Sequence, residues 1–111
     1  MVIRQLAFLA LAVVLLACDP THPVRIVNTT QQQVVLYEDA RSLGVSRTLG
    51  PGADVTLNWM YDSSQADETP LREVRATTIS GALLFCHRYT YGELRTNGWQ
   101  ILIRERDVQC G

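Results

Sequence analysis

Short runs that alternate apolar and polar residues, each ended by a turn signal, set the strongest limit on what this chain can fold into. In the clearest run, residues 54–61, Val55, Leu57 and Trp59 fall on one side of an extended strand and polar residues fall on the other. This period of two indicates a half-buried β-strand. Similar runs recur along the chain, and no long segment has a helical period, so the pattern favours an all-β fold.

Turn signals divide the chain into about seven such strands, which is the number expected of a small β-sandwich. Gly50-Pro51-Gly52 marks one turn, because proline presets φ and glycine permits a positive φ, and Ser80-Gly81 marks a hairpin. The predicted strands are residues 24–27, 33–38, 43–48, 54–61, 71–80, 82–89 and 99–103. We therefore predict a small antiparallel β-sandwich, with a partly open barrel as the competing architecture.

One short helix is predicted between the last two strands. Thr90 and Glu93 have the spacing of a capping box, in which each side chain bonds to the backbone amide of the other. Tyr89 and Leu94 occupy the two positions of a hydrophobic staple. We therefore place a helix at residues 91–96, and it must rely on tertiary packing because it is too short to be stable alone.

The first residues have the features of an export signal. Arg4 precedes an unbroken apolar run from Leu6 to Ala17. A membrane-spanning helix needs about 20 apolar residues, so this run is too short for a comfortable span. It is also apolar on every side, which does not suit a helix packed on a core. A basic start, a short apolar run and a final small residue are typical of a cleaved signal peptide, which we assign to residues 1–17.

The end of this segment, Leu15-Leu16-Ala17-Cys18, resembles the lipobox of bacterial lipoproteins, a short run of aliphatic and small residues that ends in cysteine. The resemblance implies cleavage after Ala17, diacylglycerol on the Cys18 sulfur and acylation of the new amino terminus. The lipid would hold the protein in the bacterial cell envelope, facing the periplasm or the exterior. Asp19 resembles the inner-membrane retention signal of enterobacterial lipoproteins. A plain secretory signal is the alternative.

Lipidation of Cys18 would also account for a total of three cysteines, because it leaves one pair, Cys86 and Cys110. Export permits a disulfide, and we predict one between them. The alternative is a metal site built from Cys86, His87 and Cys110. Adjacent strand residues point to opposite faces, however, and neither C-x-x-C nor H-x-x-x-H spacing is present. We therefore predict no metal ligands and no cofactor.

The body of the chain is predicted to be a single domain, residues 24–111. Residues 18–23 would form a lipidated tether, because Pro20 and Pro23 do not suit a sheet interior. An N-x-T turn after the first strand and the segment LGPGADVTL, residues 49–57, resemble small immunoglobulin-like or transthyretin-like modules of exported bacterial proteins. This resemblance implies a sandwich and carries no functional residue across.

Charge and composition argue against several classes of function. The basic residues are all arginine, which excludes a Schiff base or a general base on lysine. They are scattered singly and the formal net charge is −1, so no nucleic-acid partner is expected. The chain contains no G-x-S-x-G elbow. We predict no catalytic residues, and we do not expect an enzyme.

Two groups of side chains are candidates for binding a ligand. His87 lies within a predicted strand, and the acidic segment 62–70 carries Asp62, Asp67 and Glu68. Calcium takes such oxygen ligands, but the EF-hand pattern is absent. A small-molecule or metal-binding envelope protein that uses His87 and this segment is the alternative function.

The other candidate is a surface of aromatic and arginine side chains. Tyr89, Tyr91, Arg88 and Arg95 combine the residue types that dominate binding hot spots, and one of the two tyrosines is expected to face solvent. The function that the sequence favours is a membrane-anchored envelope lipoprotein that acts as a non-catalytic binding or structural module. Its partner would be another envelope protein, which these residues do not identify.

Overall fold

The computed structural model describes residues 20–38 and 46–110. The predicted signal peptide, Cys18, Asp19 and the first part of the third predicted strand lie outside the described residues. The elements in chain order are β1 (Thr21–Asn28), β2 (Val34–Glu38), β3 (Ser46–Leu49), β4 (Asp54–Met60), β5 (Pro70–Thr78), β6 (Leu83–Thr90), α1 (Tyr91–Thr96), β7 (Gln100–Ile103) and β8 (Asp107–Val108). The predicted strands correspond to β1 to β7, and β8 is additional.

The described strands form two sheets, with the orders β4-β1-β7 and β3-β2-β5-β6-β8. Their inner faces share one buried core, in which Val24 and Ile26 of the smaller sheet belong to the same cluster as Leu36 and Phe85 of the larger sheet. Two separate sheets around one core make a β-sandwich rather than a closed barrel. The all-β prediction is therefore confirmed.

The sandwich differs from the predicted antiparallel one in that both sheets are mixed. Strand β7 runs parallel to β1, and β8 runs parallel to β6. The cause is the path of the chain after β6, which ends beside the start of β1. Helix α1 carries the chain from there into the other sheet, where β7 starts opposite Arg25, midway along β1, and runs in the same direction. The return strand β8 has only two residues and no alternation that a sequence pattern would reveal.

Helix α1 begins and ends where the sequence predicts, and half of its capping box is present. The Thr90 hydroxyl accepts a hydrogen bond from the Glu93 amide at 3.2 Å, and both staple residues, Tyr89 and Leu94, are buried. The return half of the box is wrong. The Glu93 carboxylate lies instead 2.7 Å from Nε2 of His87 on β6. This contact ties the helix to the sheet that precedes it.

Strand β1 starts at Thr21, so residues 21–23 belong to the sheet and not to a tether. The amide of Arg25 donates to the Trp99 carbonyl at 3.0 Å, which shows that alternate residues of β1 direct their amides towards β7. The backbone nitrogen of Pro23 also faces the side of β1 on which β7 lies. Pro23 precedes Arg25, however, and pairing with β7 begins only at Arg25. Its missing N–H therefore costs no ladder hydrogen bond, which is why a proline is tolerated in the middle strand of this sheet.

A buried asparagine fixes the turn that follows β1. The Asn28 side chain is fully buried, and its amide nitrogen lies 2.8, 3.1 and 3.0 Å from the carbonyls of Gln32, Leu49 and Gly50. Its side-chain oxygen accepts from both the amide and the hydroxyl of Thr30. One side chain thus joins the ends of β1 and β3 to the β1–β2 loop, and all of its polar atoms are paired.

Candidate binding surfaces

Cys86 and Cys110 form a disulfide, which confirms the predicted pair. Phe85 points into the core, so its neighbour Cys86 points to the outer face of the larger sheet. The Cys86 carbonyl accepts hydrogen bonds from the amides of Gln109 and Cys110 at 2.7 and 3.2 Å. The C-terminal segment therefore closes over Cys86, which is completely buried.

Glu73 of β5 lies beside the disulfide, and its carboxylate and the two sulfurs fall within 4.8 Å of one another. A metal would need thiolates, and these sulfurs are joined to each other. The two carboxylate oxygens instead accept from Arg75 and Arg88 at 3.0 and 3.1 Å. Burial alone would raise the pKa of Glu73, but the hydrogen bonds from Arg88 and Arg75 outweigh it and lower the pKa. Arg88, predicted to belong to a binding surface, is therefore part of a structural ion-pair group.

The Glu73→Gln substitution should destabilise the protein in a pH-dependent way. Because the pKa of Glu73 is lowered on folding, its charge stabilises the folded state above the unfolded pKa, near 4.5, and this contribution is lost as the pH falls through the folded value. We expect a loss of about 1 kcal/mol at neutral pH, since the arginines are largely exposed. Urea titrations at a series of pH values measure the loss. Glu68→Gln, a change at an exposed loop residue, is the control. A loss that is the same at pH 7 and pH 3 would contradict the role assigned to the charge.

The four residues predicted to form a surface do not lie together. Tyr89 and Tyr91 are only 7% and 8% exposed, so the prediction that one of them faces solvent is wrong. Tyr89 belongs to the core, whereas Arg88 is exposed on the opposite face of β6. Burial raises the pKa of Tyr89, and the negative charges of Glu93 and Asp107 raise it further, so its hydroxyl stays neutral.

Tyr91 and Arg95 do lie together, where they hold the acidic segment against α1. The Arg95 guanidinium is 5.5 Å from the Tyr91 ring, 2.7 Å from the Asp67 carboxylate and 3.3 Å from the Gln65 carbonyl. At Gly92 a side chain has no room, because a Cβ there would lie 2.6 Å from the Asp67 side chain. The loop and the helix are therefore in direct backbone contact.

The carboxylates of the acidic segment are engaged separately and do not converge on a ligand. Asp62 accepts from the amide and hydroxyl of Ser64 and from the Gln65 side chain. These hydrogen bonds lower the pKa of Asp62, and the bond from the Ser64 hydroxyl has the largest effect. Asp67 is paired with Arg95. Within the described ranges, three side chains of the metal-ligating types come together only at the disulfide.

His87 lies in a cleft of about 320 Å³ between β6, α1 and the chain that leads from β7 to β8. The lining includes Tyr89, Gln100, Arg104 and Asp107. Nε2 of His87 is already bonded to the Glu93 carboxylate, and the ring lies 4.4 Å from that of Tyr89. The cleft therefore presents the histidine as one half of a hydrogen-bonded pair, whose plain role is to attach α1 to β6.

A second group of side chains, at the end of the sandwich where β1 begins, was missed by the sequence reasoning. His22 stacks on Trp99 with 3.9 Å between ring centroids, and Tyr61 meets the same Trp99 edge-on at 5.1 Å. Met60, which precedes Tyr61 in sequence, is 64% exposed, and the Tyr61 amide donates to the Pro20 carbonyl at 2.7 Å. We call these five residues the N-terminal end. They come from three distant segments, so no spacing in the sequence could reveal them.

Comparisons with protein-family models, with curated proteins and with solved structures found no match for this chain. The resemblance to immunoglobulin-like or transthyretin-like modules therefore stays a prediction. Within residues 20–38 and 46–110, no helix is long and apolar enough to cross a bilayer.

Proposed function

We propose that the protein is a lipid-anchored lipoprotein of the bacterial cell envelope, whose β-sandwich acts as a non-catalytic binding or structural module. The observation that carries the proposal is that two of the three cysteines are joined in a disulfide. Cys86 and Cys110 are joined to each other, which leaves Cys18, at the end of the lipobox-like sequence, for attachment of lipid.

The disulfide also supports an exported location. Structural disulfides form and persist in oxidising compartments such as the periplasm and the cell surface, and they are rare in the cytosol. A buried disulfide that closes the C-terminal segment onto the larger sheet suits a small domain that is secreted.

The polar side chains that the structure brings together pair with one another, which supports a structural role for these pairs. His87 bonds to Glu93, Arg95 to Asp67, and Glu73 to two arginines. In this proposal the exposed surface of the sandwich meets an envelope protein, while the lipid fixes the domain at the membrane.

Incorporation of labelled palmitate tests the anchor. In a bacterial host that processes lipoproteins, the full chain should carry the label and sediment with membranes, and Cys18→Ala should lose both properties. Cys110→Ala is the matched control, since it removes a cysteine but should retain the label. A Cys18→Ala chain that is labelled as strongly as the unaltered chain would refute the proposal.

A further inference from the structure

We propose that the N-terminal end of the sandwich, formed by Pro20, His22, Met60, Tyr61 and Trp99, rests directly on the bilayer surface. The partner of this surface is the membrane in which the lipid on Cys18 is inserted. The inference rests on the proposed lipid anchor, and it adds the orientation of the folded domain relative to the membrane.

The length of chain between the anchor and the fold is the first argument. The Pro20 carbonyl accepts from the Tyr61 amide, and β1 begins at Thr21, so the folded domain holds the chain from Pro20 onward. Only Asp19 separates Pro20 from Cys18. A residue spans at most about 3.6 Å, so Pro20 cannot lie more than about 8 Å from the lipidated cysteine. A domain held this closely cannot turn its N-terminal end away from the membrane.

The chemistry of this end is the second argument. Met60 has the largest exposed fraction, 64%, among the exposed large hydrophobic side chains of the described residues. Tyr61, the next residue, is partly exposed, and so is Trp99, whose ring meets that of Tyr61 edge-on. Tryptophan and tyrosine favour the membrane–water interface, where the ring meets apolar material and the polar atom remains hydrated. Contact with the interface would remove the Met60 side chain from water.

The charges at this end do not favour an electrostatic contact. Asp62 follows Tyr61 directly, and the nearby Arg95 is paired with Asp67. This arginine therefore already has an acidic partner. We expect the contact to depend on the short linkage and on apolar burial, and to persist at about 0.5 M salt, where exposed charges are strongly screened.

The opposite end of the sandwich provides the comparison. Ile79 lies in the β5–β6 turn, at the end away from Pro20, and it is 61% exposed, almost as much as Met60. Between the two ends, Asn58 and Thr56 lie on the exposed face of β4 that also carries Met60. Two residues of a strand cover about 7 Å, so positions 60, 58 and 56 lie at increasing distances from the proposed contact.

Spin labels on the full-length lipidated protein test the proposal. Because Cys18 is a thioether in this scheme and Cys86 and Cys110 are joined, a cysteine introduced at an exposed position can be labelled selectively. Four variants, Met60→Cys, Asn58→Cys, Thr56→Cys and Ile79→Cys, are reconstituted into phosphatidylcholine–phosphatidylglycerol vesicles. Flotation reports whether the protein is anchored. Collision of each nitroxide with a water-soluble nickel chelate and with oxygen reports its depth.

Docking predicts a gradient along β4. Accessibility to nickel should be several-fold lower at position 60 than at position 79, with intermediate values that increase from 58 to 56. Accessibility to oxygen should be highest at position 60 and should decrease through 58 and 56 to 79. Vesicles that carry the protein by flotation but give equal nickel accessibility at 60 and 79 would overturn the docking and leave the anchor intact. Failure of the protein to float with the vesicles would overturn the anchor as well.

Discussion

Removal of the disulfide by the double substitution Cys86→Ala and Cys110→Ala should lower the free energy of unfolding by about 3 kcal/mol. The two cysteines are 24 residues apart, so the bond restricts a sizeable loop of the unfolded chain. It also holds the C-terminal segment against β6, where β8 contributes only two residues of pairing. A loss of this size is a large share of the stability of a small domain.

Denaturant titration monitored by tryptophan fluorescence measures this loss, and mass spectrometry of the unaltered protein should show Cys86 linked to Cys110. Cys18→Ala is the control for removing a cysteine outside the disulfide, and its unfolding midpoint should equal that of the unaltered chain. Two free thiols at positions 86 and 110, or an unchanged midpoint in the double variant, would show that the bond does not stabilise the fold.

Asn28→Ala should be at least as destabilising, with an expected loss of about 4 kcal/mol. The substitution removes a side-chain partner from the carbonyls of Leu49 and Gly50 and from the amide of Thr30, in buried or partly buried surroundings. Each unsatisfied buried group costs about 1 to 3 kcal/mol, less where water can enter. The effect should be large because one side chain serves several backbone groups.

A second substitution at the same position tests the effect of a charge while the volume of the side chain is kept. Asn28→Asp keeps the shape but replaces the amide donor with a carboxylate that faces three carbonyl oxygens, so it should also destabilise strongly near neutral pH. Protonation of the carboxyl restores one donor, so the loss should be smaller at low pH. Asn58→Ala, at an exposed position on β4, is the control and should change stability by less than about 0.5 kcal/mol. Equal losses at positions 28 and 58 would contradict the role of the buried turn.

Local patterns were sufficient to predict most of the fold. Alternation located the strands, and the Thr90–Glu93 spacing located α1, because both signals depend on neighbours in sequence. Pro23 was misinterpreted because a proline is tolerated in β1 only where β7 does not pair with it. Where β7 begins depends on a strand far along the chain, which local patterns do not show. Likewise, strand β8 is held by its partner and the disulfide rather than by its own two residues.

The candidate surfaces were harder to predict for the same reason. The disulfide followed from the cysteine count, but Tyr89, Arg88 and Arg95 were grouped by proximity in sequence, whereas neighbouring residues on a strand face opposite ways. The N-terminal end assembles His22, Tyr61 and Trp99 through strand pairing. Asn28 was assigned to a polar turn, and its burial became visible only when the ends of β1 and β3 were seen to meet.

The central place of β1 has a mechanical consequence. This strand is bonded to β4 on one side and to β7 on the other, and in the proposed lipoprotein its first residue follows the lipidated Cys18 by three positions. A partner that pulls the domain away from the membrane therefore loads β1 along its own length. Under such a shearing load, both ladders resist together, whereas a strand at the edge of a sheet would be held by one ladder only. The arrangement thus suits the proposed role, in which the domain would carry tension between a lipid anchor and an envelope partner.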